Sequence, residues 1–177
     1  MGTHWVWLDL EMTGLDVERC AIIELALVIT GPDLVPVAEL ERAIWQPEEV
    51  LARMEPRVLQ MHTDNGLLQR VRASTVSLAD VQAEALQLLQ RHCTYKEATL
   101  VGNSIHTDRA FLRRHMAPLE DFLHYRQVDV TAFKVLSRAW FPSDPEFQKP
   151  GADHTALADA RQSMLELAHY RKRFFQA

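Results

Sequence analysis

The chain has 177 residues, of which 47% are hydrophobic and two are cysteines, and its formal net charge is −5. This length fits one globular domain with a full core, so we predict a single domain over residues 1–177. The acidic balance argues against a protein that wraps a long nucleic acid, although one or two arginines could still grip a short one.

Targeting and membrane signals are missing from the sequence. The first residues contain no basic segment followed by an apolar one, and no apolar run approaches the roughly 18 residues that a membrane span needs. Cys20 and Cys93 lie far apart, which indicates neither a disulfide framework nor a zinc site. We therefore expect a cytoplasmic protein in a reducing compartment, with no membrane association.

The first predicted strand begins at Trp5 and ends where Thr13 and Gly14 break the apolar pattern. Side chains alternate along a strand, so Asp9 and Glu11 project to one face, about 7 Å apart along the backbone. Two carboxylates held in this way repel each other unless a cation lies between them, and Mg²⁺ prefers carboxylate and water oxygens. A solvated strand end would show the same pair of acids, so the pair alone does not establish a site.

Two more strands complete an expected meander. Residues 20–30 are almost continuously apolar, with Glu24 as the interruption, and residues 37–46 alternate in character. The Gly31-Pro32-Asp33 turn separates these two segments. Pro47 and Pro56 then bracket a short helix.

The remaining chain alternates helices with strands. Ser77 and Asp80 fit the start of a capped helix, because a serine followed three residues later by an acid satisfies the first free N–H groups. Further elements are predicted as a strand at 100–103, a helix at 107–116, a strand at 128–130, a helix at 131–140, a loop at 141–153 and a helix at 155–173. The order predicts an α/β domain with a mixed sheet.

Four acids occupy comparable places in this scheme. Asp9 and Glu11 end the first strand, Asp108 opens a helix after a strand, and Asp159 lies in the last helix. Functional groups collect outside the strand ends of open α/β sheets, so these carboxylates could converge there. Four converging carboxylates would carry a charge of about −4, which two divalent ions could neutralise. Each acid also has an ordinary explanation, such as the helix dipole for Asp108 and a solvated helix edge for Asp159.

Several motifs extend this pattern over nearly the whole chain. They are DLEMTGLD at 9–16, GNSIHTDRAFLRRHM at 102–116, HYR at 124–126 and HTALADARQS at 154–163. In this order they resemble the DEDDh exonuclease superfamily, in the form found in oligoribonucleases. The resemblance implies a ribonuclease H-like fold, a mixed β-sheet flanked by α-helices, and a homodimer. It also implies 3′→5′ hydrolysis of short single-stranded RNA, from two to about five nucleotides, to 5′-mononucleotides.

The resemblance assigns the chemistry to five residues. Asp9, Glu11, Asp108 and Asp159 would bind two Mg²⁺ or Mn²⁺ ions, and His154 would act as the general base. An ordinary histidine pKa near 6.5 suits proton removal from water at neutral pH. His154 and Asp159 differ by about 140° around an ideal helix, which favours His154 as base while Asp159 binds metal.

The substrate contacts implied by the resemblance involve six further residues. Leu15 would act as a wedge against a base, His62 and Ser104 would lie near the nucleotide, Arg126 and Thr131 would cap the 5′ phosphate, and Tyr125 would reach across the dimer. Ordinary structural roles, such as a core leucine at Leu15, remain alternatives. An arginine that binds a terminal phosphate bidentately would measure substrate length and would reconcile an acidic chain with RNA.

One position departs from the family pattern. Arg57 stands where many oligoribonucleases have an aromatic residue, typically tryptophan, and the loss of a stacking surface is worth roughly 1–3 kcal/mol per base. Two other interpretations stay open: a DNA-directed exonuclease, which should show basic patches for longer strands, and a non-catalytic scaffold. The preference for RNA over DNA depends on contacts to the 2′-OH, which the sequence does not reveal.

Overall fold

A computed structural model describes residues 4–143, 146–148 and 155–175 of the chain. Its centre is one five-stranded sheet, built from β1 (Trp5–Met12), β2 (Ile22–Thr30), β3 (Pro36–Ala43), β4 (Thr99–Gly102) and β5 (Gln127–Asp129). Eight helices lie within the described residues: α1 (Glu48–Leu51), α2 (Pro56–Asp64), α3 (Leu67–Ala73), α4 (Leu78–His92), α5 (His106–His115), α6 (Ala117–Phe122), α7 (Val130–Trp140) and α8 (Ala156–Phe174).

The sheet is mixed, as predicted, with the strand order β3-β2-β1-β4-β5. The three N-terminal strands pair antiparallel, while β4 pairs parallel with β1 and with β5. A short turn is sufficient to join antiparallel strands, whereas parallel strands need a crossover, and helices supply it here. The meander and the alternating second half are therefore both confirmed.

Side chains alternate between the two faces of β1, and this alternation decides which of them contact α8. Val6, Leu8 and Leu10 belong to a core with α4, α5 and α6, whereas Trp7 belongs to a second core with Met164 and Tyr170 of α8. Asp9 and Glu11 follow Trp7 at two-residue steps, so they lie on the face that α8 covers. Both acids therefore point toward α8 rather than toward open solvent.

Local sequence signals explain where several helices begin. Ser77 Oγ accepts a hydrogen bond from Asp80 N at 3.2 Å and Asp80 Oδ2 accepts one from Ser77 N at 3.0 Å, which confirms the predicted capping box. Helices α2 and α6 were not expected from the sequence, and α6 has only six residues, too short for a clear apolar period.

Residues 141–143 and 146–148 of the predicted loop contain no helix or strand, and the rest of that loop lies outside the described residues. The predicted last helix is confirmed as α8. Among the described residues, no helix is both long enough and apolar enough to cross a membrane.

We predict that Thr30→Val lowers the free energy of unfolding by about 1–3 kcal/mol, as measured by urea denaturation. Trp7 Nε1 donates to Thr30 Oγ1 at 2.9 Å, and both side chains are fully buried, so valine would leave the indole N–H unpaired. In a Trp7→Phe background the same change should cost much less, because no donor remains. Equal costs in the two backgrounds would contradict this role of the hydrogen bond.

Candidate metal centre

Three carboxylates converge where β1 faces α8. Asp9, Glu11 and Asp159 each offer an oxygen, and these oxygens all lie within 4.8 Å of one another. All three residues are partly buried. The structure therefore brings together three of the four acids that the sequence analysis selected.

The start of α8 places Asp159 at this position. Thr155 is the N-cap of the helix, and its side chain accepts a hydrogen bond from Ala158 N at 3.3 Å. Asp159 follows within the first turn, and the helix packs across β1 and β2. The acid is thus carried on a capped helix terminus that rests directly on the sheet.

Asp108, the fourth acid, lies beside this group and holds the edge of β1. The pairing between β1 and β4 ends at Trp7, so the backbone beyond it needs another partner. Asp108 Oδ1 accepts a hydrogen bond from Leu10 N at 2.9 Å, and the side chain is buried in the first turn of α5. This bond gives Asp108 a structural role, and its role as a metal ligand stays a prediction.

The electrostatics of the site favour a bound cation. Burial, reinforced by repulsion from Glu24, Asp159 and Asp108, raises the pKa of Glu11 to about 7. Burial also raises the pKa of Asp108 to about 7, against the lowering effect of its backbone hydrogen bonds. Glu11 and Asp108 are therefore harder to ionise in the metal-free protein than in water. A nearby positive charge would offset the free-energy cost of ionising them.

The donor set fits a hard divalent ion. All three ligand atoms in the cluster are carboxylate oxygens, which suit Mg²⁺ and Mn²⁺ better than ions that prefer thiolate or imidazole. Two oxygens that bind one ion can be separated by at most twice the metal–oxygen distance, which is about 2.0–2.4 Å. The separations of up to 4.8 Å between the carboxylate oxygens are therefore short enough for a shared ion. These residues can therefore hold a divalent metal.

His154 and Asp153 lie outside the described residues, so the assignment of His154 as general base stays a prediction. Asp129 has a structural role. It is the N-cap of α7, and its Oδ1 accepts hydrogen bonds from Thr131 N at 3.0 Å and from Ser104 N at 2.9 Å.

Ser104 and Thr131, both expected near the substrate, are neighbours in the structure. Their hydroxyl oxygens lie 3.2 Å apart, and Ser104 N also donates to Thr131 Oγ1 at 2.9 Å. Ser104 has a φ of 49°, a left-handed conformation that non-glycine residues seldom adopt. Two hydroxyl groups are therefore presented together just beyond the ends of β4 and β5.

Leu15 is 78% exposed, which excludes the alternative of an ordinary core leucine. It lines an open hollow with Thr13, Gly14, Cys20 and Arg53. A Cβ atom added to Gly14 would lie 2.8 Å from Cys20 Sγ, so a larger residue at this turn would require the Cys20 side chain to move. An apolar side chain is thus exposed directly after the strand that carries Asp9 and Glu11.

His62 is fully buried behind the end of β1. Its Nε2 hydrogen-bonds to Met12 O at 3.0 Å and lies 4.0 Å from Glu11 Oε2. Burial lowers the pKa of His62, which favours the neutral ring. The histidine therefore supports the strand next to Glu11, and a contact with the nucleotide stays a prediction.

Tyr125 and Arg126 are exposed before β5. The guanidinium carbon of Arg126 lies 5.1 Å from the centroid of the Tyr125 ring, which in turn stacks on His124 at 4.6 Å. Arg57 is also exposed, in the first turn of α2. The predicted substrate contacts of Tyr125 and Arg126 stay predictions.

Two buried acids near the site were not selected from the sequence. Glu24 pairs with Arg70, and Glu166 accepts a hydrogen bond from Asn103 Nδ2 at 3.0 Å and lies 3.9 Å from Lys134 Nζ. A single acid inside an otherwise apolar strand was a usable signal for Glu24. Glu166 offered no such signal, because charged residues are common in helices.

Comparison with known proteins now defines the class of the molecule. A family model described as exonuclease matches residues 6–167. The oligoribonuclease of Pseudomonas paraeruginosa (strain DSM 24068 / PA7) is 47% identical, over 97% of this chain and 96% of that protein. The oligoribonuclease of Francisella tularensis subsp. tularensis is 43% identical, over 95% of this chain and 94% of that protein. The chain therefore belongs to the oligoribonuclease group of the exonuclease family.

Solved structures confirm the ribonuclease H-like fold. Escherichia coli exonuclease I in complex with a dT13 oligonucleotide superposes with a TM-score of 0.74 at 14% identity. The zinc-bound form of that enzyme with single-stranded DNA gives a TM-score of 0.78 at 13% identity. In these two comparisons the match covers 98% of this chain but only 42% and 41% of exonuclease I. At such low identity the likeness concerns the fold alone.

We predict a pH-dependent stability difference between the metal-free protein and its Glu11→Gln variant. The folded protein raises the pKa of Glu11 from 4.5 to about 7, so folding favours the protonated carboxyl. The contribution of Glu11 to stability is therefore full below pH 4.5 and is lost as the pH rises through about 7.

In EDTA, Glu11→Gln should gain stability relative to the parent by on the order of 1–3 kcal/mol between pH 5 and pH 7.5. Urea denaturation at several pH values measures this difference, and saturating Mg²⁺ should reduce or reverse it. A difference that stays constant across the pH range would contradict the electrostatic account of the site.

Proposed function

We propose that this protein is a metal-dependent 3′→5′ exoribonuclease that degrades short oligoribonucleotides, down to dinucleotides, to 5′-mononucleotides. The observation that carries the proposal is the cluster of Asp9, Glu11 and Asp159, drawn from opposite ends of the sequence into one group of oxygens. Membership in the oligoribonuclease group supports the class of substrate.

The proposed site uses Asp9, Glu11, Asp108 and Asp159 to hold two divalent ions, Mg²⁺ or Mn²⁺. When bound, two such ions would supply a water activated for attack, charge neutralisation at the scissile phosphate and stabilisation of the leaving 3′ oxygen. The burial of Asp108 and the partial burial of Glu11 favour this arrangement, because charge interactions are stronger where water is excluded.

His154 is the proposed general base. It would accept the proton of the attacking water, a task that suits imidazole because an unperturbed histidine has a pKa near 6.5. His62 is a poor candidate for the same task, because its ring is fully buried and an attacking water could not reach it.

The remaining residues would select the substrate. Leu15, exposed shortly after the strand that carries Asp9 and Glu11, is proposed to pack against a base, and the hydroxyls of Ser104 and Thr131 are proposed to donate to phosphate or ribose oxygens. Arg126 is proposed to bind the 5′ phosphate. Tyr125 would complete the site from a partner subunit in a homodimer, and we expect the protein to function in the cytoplasm.

A DNA-directed activity is the alternative outcome of the decisive experiment. That experiment is a length series of labelled RNA and DNA oligomers, from two to about ten nucleotides, tested with Mg²⁺ and with Mn²⁺. The proposal expects RNA dinucleotides to be cleaved efficiently. A preference for long DNA would overturn the assignment of substrate.

We predict that Asp9→Ala, Asp108→Ala or Asp159→Ala abolishes hydrolysis of short RNA while the protein stays folded. Each change removes a proposed metal ligand and one charge from a group of repelling carboxylates. Asp108→Ala also leaves Leu10 N without its acceptor, which should lower the free energy of unfolding by about 1–3 kcal/mol without unfolding the protein. Gel assays of labelled RNA measure hydrolysis, and circular dichroism monitors folding. Asp33→Ala, in the exposed turn after β2, is the matched control and should keep full activity. Activity that survives any of the three changes, or exhaustive treatment with EDTA, would rule out this site.

We predict that Arg126→Ala slows hydrolysis of a 5′-phosphorylated dinucleotide by about 10–100-fold, since a hydrogen bond to a charged group is worth roughly 1.5–3 kcal/mol. A dinucleotide without the 5′ phosphate should be affected little. Arg91→Ala, which removes an exposed arginine from the last turn of α4, serves as a charge-matched control. Comparable losses on both dinucleotides would argue against a phosphate contact at Arg126.

A further inference from the structure

Glu24 is a buried acid of β2 that the proposed reaction does not use. It is fully buried, and it is the one charged residue in the strand sequence IIELALVIT. A carboxylate in such a position is tolerated only when it is paired and hydrogen-bonded. Its partners therefore indicate what the protein gains from an acid at this point.

Both oxygens of Glu24 are engaged, by two different parts of the chain. Oε1 forms an ion pair with Arg70 Nη1 from α3, and Oε2 accepts a hydrogen bond from Ala156 N at 3.1 Å. Ala156 is the first residue of α8, where backbone N–H groups have no partner within the helix and the helix dipole is positive. The carboxylate thus ties the start of α8 to the sheet.

The position of Glu24 links this tie to the candidate metal centre. In the antiparallel register, Glu24 lies directly opposite Glu11 of β1, and side chains of such pairs are neighbours on one face of the sheet. Asp159 follows Ala156 by three residues in the first turn of α8. A single side chain therefore connects the strand position beside Glu11 to the helix turn that carries Asp159.

We propose that Glu24 is a positioning residue, which anchors the start of α8 so that Asp159 shares a divalent ion with Asp9 and Glu11. The inference rests on the proposed metal-dependent function and deepens it. Arg70 balances the charge of Glu24. The Glu24 carboxylate therefore holds the start of α8 and is not itself a proposed metal ligand. Some residues orient the ligands of a metal ion without touching the ion themselves. Their removal commonly lowers metal affinity or activity by about 10–100-fold.

Two double variants separate the anchor from the ion pair. Glu24→Met with Arg70→Met, and Glu24→Gln with Arg70→Met, both remove the two opposite charges and keep side chains of similar volume. Only glutamine retains an oxygen that can accept from Ala156 N. Replacement of a buried ion pair by apolar side chains of similar volume is often tolerated, so we expect both proteins to fold.

Binding of Mn²⁺, measured by titration calorimetry on the purified full chain, is the primary readout. The methionine double variant should bind Mn²⁺ about 10–100-fold more weakly than the parent, and the glutamine double variant within about three-fold of it. For a dinucleotide, kcat of the methionine variant should fall while KM changes little. Thr30→Val, which weakens the same pair of strands far from Glu24 along β2, should lower stability without changing Mn²⁺ affinity.

Ala156→Pro tests the same contact from the helix side and replaces the methionine variant if that protein does not fold. Proline lacks the N–H donor and is tolerated at the first position of a helix, and Thr155 already has the extended backbone, φ −115° and ψ 149°, that precedes proline. We expect Ala156→Pro to weaken Mn²⁺ binding by about 10–100-fold as well.

Equal Mn²⁺ affinity in the methionine and glutamine double variants would overturn the proposal, and so would a loss of stability without a change in affinity. A parent protein that binds Mn²⁺ but leaves RNA intact would defeat the proposed function, while the Mn²⁺ comparison would still decide the role of Glu24. A parent protein that binds no Mn²⁺ would overturn both.

Discussion

Repulsion between carboxylates is the constraint on which this structure depends. Asp9, Glu11 and Asp159 offer oxygens within 4.8 Å of one another, and Asp108 and Glu24 lie close enough to raise the pKa of Glu11 further. Such a group would spread apart if its supports were flexible. The protein keeps it together because the acids stand on a paired strand and on a helix packed against that strand, so the unfavourable charge density persists until cations relieve it.

Several polar side chains support the site through hydrogen bonds to the backbone. Asp108 satisfies the N–H of Leu10 where β4 no longer pairs with β1, and His62 bonds to Met12 O at the end of the same strand. Glu24 holds the first N–H of α8. Each contact places a buried polar group where an unpaired backbone group would otherwise be costly. Stability and the geometry of the metal ligands therefore depend on the same hydrogen bonds.

The carboxylate cluster explains how a chain with a net charge of −5 could bind a polyanion. Much of the acidity that faces the proposed substrate is the charge that metal ions would neutralise, so a short polyanion would meet a site with little remaining negative potential. Contacts at the 5′ end then need only a few groups, such as Arg126 and the adjacent hydroxyls of Ser104 and Thr131. A chain without an extended basic face is consistent with a substrate of a few nucleotides rather than a long strand.

The fold followed from local patterns to a large extent, because strand alternation, helix capping and turn residues act over a few positions. The meander and the final helix were predicted with nearly correct bounds and the helix at Ser77 with its correct start, whereas the short helix α6 left no clear period. The motif spacing also selected Asp9, Glu11 and Asp159 before their proximity was known.

The sequence by itself determined the order of the strands and of the longer helices, the common face of Asp9 and Glu11, and the family to which the chain belongs. Only the tertiary structure decided that Leu15 is exposed, that His62 is buried, and that Glu24 reaches the start of α8. These properties depend on contacts between segments far apart in the chain. The residues adjacent in sequence determine the side of the strand or helix on which a side chain lies. They do not determine which residue from a distant part of the chain it will contact.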